Sequence, residues 1–201
     1  MIDTAMRLFR QRGYEGTSWR TLVDEAGTPW GSIHHHFPQG KEQLGVEAVA
    51  RASAGMLALI EQGFERFGSP ARAIEAWCLG SAEQLERSGW LDGCPLATIA
   101  LEVGGGSALA KATGSALMSW EAALARRFAD AGIAPQRASE LATVTLAGVE
   151  GALLLARASR STAPLLKVGR HLRSVLEDAV SPKGRRARAS HREGSSGTRG
   201  G

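Results

Sequence analysis

Cysteine is scarce in this 201-residue chain: Cys78 and Cys94 are the only two, and neither lies in a CxxC pair or beside a histidine. Two such thiols build neither a disulfide framework nor a structural zinc site, so both are read as reduced. Aromatic residues make up 5%, with a single tyrosine, and nowhere do β-branched residues alternate with polar ones between turn residues, which leaves no strand signal. No stretch approaches the roughly 18 uninterrupted apolar residues of a membrane-spanning helix. Met1-Ile2-Asp3 also lacks the basic-then-apolar order of a secretory leader. A cytoplasmic protein without a membrane partner is the expectation. Catalytic patterns are missing too: no Ser/His/Asp set or paired carboxylates, and Gly104-Gly105-Gly106 lacks the lysine and serine of a phosphate loop. No enzyme activity, cofactor or metal is expected.

What the chain does have is helical periodicity. Apolar residues recur at three- and four-residue intervals in a composition that is 43% hydrophobic and 22% charged, as in a globular protein. Glycine and proline punctuate that pattern at Gly13, Gly27-Thr-Pro29, Pro38, Gly68 to Pro70, Gly93 to Pro95, Gly104 to Gly106, Gly132 to Pro135 and Pro164. An all-α fold of about nine helices fits between these breaks, including Ile2 to Arg12, Lys41 to Phe67, 135–159 and 164–180. Ser69 before Pro70, and Thr28 before Pro29, read as capping residues.

The formal charge of +4 is unevenly placed. Lys183, Arg185, Arg186, Arg188, Arg192 and Arg199 against Glu193 alone give the end of the chain +5, so the first 180 residues carry −1. Residues 181–201 are expected to be a disordered basic tail, since they offer no large apolar side chain to offset ordering. Bulk charge therefore does not point the folded part at nucleic acid; a local motif must.

That motif lies at Thr17 to Phe37, which reads as helix, tight turn, helix. Thr17 or Ser18 caps the first helix, Leu22, Val23 and Ala26 line its apolar face, and Gly27 permits a sharp left-handed exit. In the second helix Ile33 and Phe37 lie four apart on the inner side, leaving Trp30, Gly31, Ser32, His34 and His35 more outward, with His36 packed beneath. This is a helix-turn-helix whose second helix can enter a major groove. Three adjacent histidines on a helix point about 100° apart and do not converge on one ion, which excludes a His34-His35-His36 metal site.

Leu8-Phe9, Gly13-Tyr14, Thr17-Ser18, Ala26 to Pro29, Gly31 to Ile33, His35 to Phe37, Lys41-Glu42 and Leu44 together resemble the N-terminal domain of TetR-type transcriptional repressors. Phe37-Pro-Gln-Gly-Lys41 and the run from Asp92 to Glu102 (DGCPLATIALE) are similar to the LmrA-type subgroup. The resemblance implies a DNA-binding domain over 1–49, its first helix truncated at the start, and a ligand-binding and dimerising domain over 50–180. It implies phosphate contacts from Thr17, Ser18, Thr28, His34 and Lys41, and base-edge contacts from Trp30, Ser32 and His35. His34 stands where the family usually has tyrosine, and Trp30 where a small polar or basic residue is frequent. The family's basic N-terminal arm is missing, which implies weaker binding or a start upstream of Met1.

For the body, tryptophans at 77, 90 and 120 suit a flat apolar effector, so Trp77, Trp90, Thr98, Glu102 and Trp120 are the expected ligand residues. The last two helices carry wide apolar stripes, and Leu146, Val149, Leu153, Leu165, Leu172 and Val175 are the expected homodimer interface. The implied function is a dimeric repressor that holds a palindromic operator of double-stranded DNA and releases it on binding a small apolar or aromatic effector. Two alternatives stay open: a degenerate relative that no longer binds DNA, and a helical carrier or enzyme using the body's cavity.

Overall fold

The computed structural model describes residues 1–180, apart from the side chains of Ser32 and His34; the expected tail at 181–201 lies outside the described residues. Nine helices follow in order among them: α1 Ile2–Arg12, α2 Trp19–Ala26, α3 Trp30–His36, α4 Lys41–Phe67, α5 Pro70–Arg87, α6 Pro95–Glu102, α7 Ala108–Asp130, α8 Pro135–Ser159 and α9 Ala163–Val180. The fold is all-α, as the periodicity requires.

Helix starts follow local chemistry. Proline opens α5, α6 and α8, where its missing N–H leaves no donor unpaired and its ring presets φ. Ser107 caps α7 by accepting from the Ala110 N–H at 3.0 Å. Ser69 makes no such bond at α5, and no side chain caps α3, contrary to the reading of Ser69 and Thr28 as capping residues. The hydroxyl of Thr28 instead donates back to the Ala26 carbonyl at 3.4 Å.

Helix α4 carries the N-terminal helices into the body. It runs parallel to α7 along its whole length, joined in register. The Leu109 N–H donates to Glu42 at 3.3 Å, the Trp120 indole to Ser53 at 3.2 Å, and Arg126 to Glu61 at 2.8 Å. The Phe64 and Phe128 rings meet at 5.9 Å near the far end. Helices α4 and α8 are long and apolar enough to span a bilayer by length and composition, which a test for uninterrupted apolar runs passes over. In the folded chain α4 packs on α1, α5 and α7, and α8 on α5, α7 and α9, and a third of each apolar window is buried.

One continuous core runs from Ala5, Leu8 and Phe9 through Leu22, Ile33 and Leu44 to Trp120, Phe128, Leu141 and Leu176. It absorbs most of the residues expected at a dimer interface. Leu146, Val149, Leu165 and Leu172 are buried within this chain, and Leu153 and Val175 are partly buried against the same cores. The correction is one of helix phase. The outward apolar stripe of α8 is Val144, Ala147, Gly151, Leu154, Leu155 and Ala158, with Leu154 65% and Leu155 61% exposed.

Candidate nucleic-acid interface

The interface is built around a backbone turn. Helix α2 ends at Gly27, whose φ of 60° and ψ of 29° are left-handed, a geometry that costs glycine little and other residues more. The turn swings α3 across α2, and Ile33 and Phe37 are buried beneath α3 while Trp19 meets the Phe37 ring edge-on at 6.4 Å. With its inner face committed to packing, α3 presents Trp30, 49% exposed, and the exposed His35 and His36 outward. His36 is thus not packed beneath the helix, as its spacing suggests. It lines a shallow cleft with Met1, Ile2, Asp3, Phe37, Glu47 and Arg51. Ser32 and His34 lie on the same helix.

At the start of α2, Ser18 is the cap: it accepts from the Thr21 N–H at 3.0 Å, and the two hydroxyls lie 2.8 Å apart. Replacing Ser18 with alanine should lower stability by about 1 kcal/mol, read as a shift in the urea midpoint at unchanged slope. Thr17 plays another part. It is fully buried, and its hydroxyl donates to the Gly13 carbonyl at 2.6 Å, so its side chain braces the turn after α1 and does not face a phosphate.

Charges around the interface are mostly committed. Arg7 pairs with Glu25 at 2.8 Å and Arg12 reaches the same carboxylate at 3.6 Å. The hydrogen bond from Arg7 holds the Glu25 carboxyl below the usual range. Lys41, the first residue of α4, sits with its ammonium 4.1 Å from the centre of the Tyr14 ring. Partial burial draws the Lys41 pKa down, against the opposing pull of Glu15 and Glu102. Burial also raises the Tyr14 phenol.

The expected ligand residues do not converge on one cavity. Trp120 is fully buried, with its indole N–H on Ser53 of α4. Trp77 is half-buried against the main core, whereas Trp90 packs on a separate cluster of Ala82, Leu85, Ala152, Ala156 and Leu165. Thr98 donates to the carbonyls of Phe9 at 3.2 Å and Pro95 at 2.9 Å. Glu102 accepts from the Glu15 N–H at 2.9 Å. Both therefore fasten α6 to the N-terminal helices, a role with no local signal because the partners are almost 90 positions apart.

The remaining buried polar groups do not resemble catalytic machinery. Burial pushes the Cys78 thiol up to about 11, and raises Cys94 further with help from the neighbouring Glu150 carboxylate. A thiol held protonated is a poor nucleophile. Desolvation raises the Glu150 carboxyl itself, against the hydrogen bond with Cys94. Among the described residues no three histidine, cysteine or carboxylate side chains gather to hold a metal ion.

Residues 1–49 match the family described as bacterial regulatory proteins, tetR family, and residues 70–171 match the C-terminal domain of LmrA/YxaF-like transcriptional regulators. The chain belongs to the TetR family.

Similarity to whole TetR-family proteins extends over nearly all of the described chain. The uncharacterized HTH-type transcriptional regulator YxaF of Bacillus subtilis is 32% identical over 173 residues, 86% of this chain and 91% of that protein. A TetR transcriptional regulator from Legionella pneumophila superposes with a TM-score of 0.77 at 20% identity, covering 87% of this chain and 94% of its own. A cysteine mutant of the TetR-family transcriptional regulator CifR, whose structure includes a complex with 26-base-pair double-strand operator DNA, superposes with a TM-score of 0.72 at 22% identity over 86% of this chain and 93% of its own. This TetR-family chain is thus a helix-turn-helix transcriptional regulator, and the relatives it matches are regulators, not enzymes.

Proposed function

We propose that the chain is a cytoplasmic repressor that binds a two-fold symmetric operator as a homodimer and is released by a small apolar or aromatic effector. The observation that carries this reading is α3: a helix locked underneath by Ile33 and Phe37, turned at Gly27, with Trp30 and His35 outward and Lys41 at its flank. Residues 1–49 would meet DNA, and 50–180 would bind effector and partner. Ser18, Thr28 and His34 remain the proposed phosphate contacts with Lys41, and Ser32 joins Trp30 and His35 at the base edges.

Two features support the remainder. The outer stripe of α8 is apolar, exposed and continuous, which suits a self-complementary seam between two copies. A groove of about 490 Å³ between α4 and α7, lined by Leu57, Ala58, Ser119, Ala122 and Ala123 and closed at one end by Glu61 and Arg126, has the size of a small-molecule site. An effector wedged there would bear directly on the helix that carries α1 to α3. It acts only if it binds the released arrangement more tightly than the operator-bound one.

The deciding experiment is a gel shift of the purified protein on the intergenic DNA flanking its own gene, at two salt concentrations and with excess competitor. A specific complex that weakens as salt rises is expected. Absence of any specific complex would leave the degenerate reading in its place. On that complex, Trp30→Ala and Lys41→Ala should each weaken binding roughly ten-fold, with Lys41→Ala also lowering the salt slope by about 1. Unchanged affinity in both variants would overturn these contact assignments.

A further inference from the structure

The C-terminal end of α1 is capped by the body of the protein. A helix leaves its last carbonyls without intrahelical partners and carries partial negative charge there. On α1 the Phe9 carbonyl receives the Gly13 N–H at 3.0 Å and the Thr98 hydroxyl at 3.2 Å. The next two carbonyls go to one side chain from α8: Arg157 donates through Nη2 to Gln11 O at 2.8 Å and through Nη1 to Arg10 O at 3.5 Å. Asp92, buried in the α5–α6 loop, completes the junction by accepting from Gln11 Nε2 at 3.0 Å. The loop leaves room for the guanidinium at Gly93, where a β-carbon would come within 3.1 Å of Arg157 Nη1.

We infer that Arg157 is a positioning residue that fixes the angle of the helix-turn-helix on α8, and so sets the distance between the two recognition helices of a dimer. The inference rests on the operator-binding reading above. A planar fork holding two successive carbonyls fixes the orientation of α1 as well as its distance, which a single ammonium does not. Its place on α8 gives this a consequence beyond one chain. Arg157 is flanked by Leu154, Leu155 and Ala158 of the exposed stripe, so a single stretch of helix grips α1 on one side and faces the second copy on the other. The path from one recognition helix to its twin then passes through α1, Arg157 and the α8 seam, and its rigidity decides which half-site spacing is accepted.

The test begins with duplexes selected from random DNA by the wild-type protein. Affinities are then measured for wild type, Arg157→Met, Arg157→Lys and Gly93→Ala on three DNA classes: the selected duplex, the same duplex with half-sites moved by one or two base pairs, and a single half-site. Arg157→Met should lose about ten-fold on the selected spacing, as expected for losing a charged hydrogen-bond donor, and should discriminate less against the shifted duplexes. Half-site affinity should stay within two-fold of wild type. Arg157→Lys should restore affinity only in part and leave discrimination weak. Gly93→Ala, which keeps the guanidinium but crowds it, should move in the same direction and carries the test if Arg157→Met does not fold. Wild-type affinity and spacing preference in Arg157→Met would overturn the inference, as would an equal loss on half-site and full site, which marks a merely structural role. A wild-type protein that selects no duplex would remove the operator reading itself, and the inference with it.

Discussion

Changing Leu154 and Leu155 together to glutamate should yield a folded monomer with operator affinity reduced on the order of 100-fold, the gain that bivalent engagement supplies. The two side chains are 65% and 61% exposed, so the isolated chain loses little packing when they are replaced, and its stability should change by no more than about 0.5 kcal/mol. The cost falls on association. A two-fold interface uses the same patch on both copies, so the double substitution would drive four carboxylates into one apolar seam. Sedimentation reads the mass, circular dichroism the fold, and a gel shift the affinity. A double variant that still sediments at the wild-type mass would remove the outer face of α8 from the interface.

Trp120→Ala should be strongly destabilising, costing about 3–5 kcal/mol in chemical denaturation. Trp120 is the largest fully buried side chain, and its loss would open a cavity between α4 and α7. It would also withdraw the indole N–H from the Ser53 hydroxyl, which lies 3.4 Å from that of Ser119. Trp120→Phe limits the packing loss, since it keeps an aromatic ring and most of the volume while removing the donor and part of the indole. A loss near 1 kcal/mol, about that of one hydrogen bond, is expected for it. Equal losses in both variants would mean that the hydrogen bond, not the packing, dominates at this position.

How much of this was legible without coordinates depended on the range of the interactions involved. The bounds of α1, α4 and α8 could be read almost to the residue, because Gly13, Gly68, Pro135 and their neighbours act within a few positions of themselves. The turn at Gly27 and the burial of Ile33 and Phe37 were legible for the same reason. The inward face of α8 was not: the helix carries apolar residues on several sides, so periodicity alone could not choose between the stripe containing Leu146 and Val149 and the one containing Leu154 and Leu155. Thr17 is similar in kind, since a threonine before a helix can cap it or brace the preceding turn, and only the Gly13 carbonyl decides. The grip of Arg157 on Gln11 joins residues 146 positions apart and leaves no trace in the local pattern. Spacing alone could not assign the tryptophans to a ligand site or to the core, because a large aromatic side chain suits a cavity wall and a core equally well. Trp120 is fully buried and donates its indole N–H to Ser53 of α4.

The caps on α1 bear on how such a protein can be re-engineered. The tetR-family match ends at residue 49, which invites exchange of the N-terminal segment for that of another regulator. In this chain that cut would leave the α1 carbonyls facing whatever side chains the new body happened to offer. It would also sever a core that does not pause at the boundary. A graft would need to carry Asp92, Gly93, Thr98, Glu102 and Arg157 as well, so the smallest portable DNA-reading unit is a discontinuous patch of the whole fold and not its first quarter.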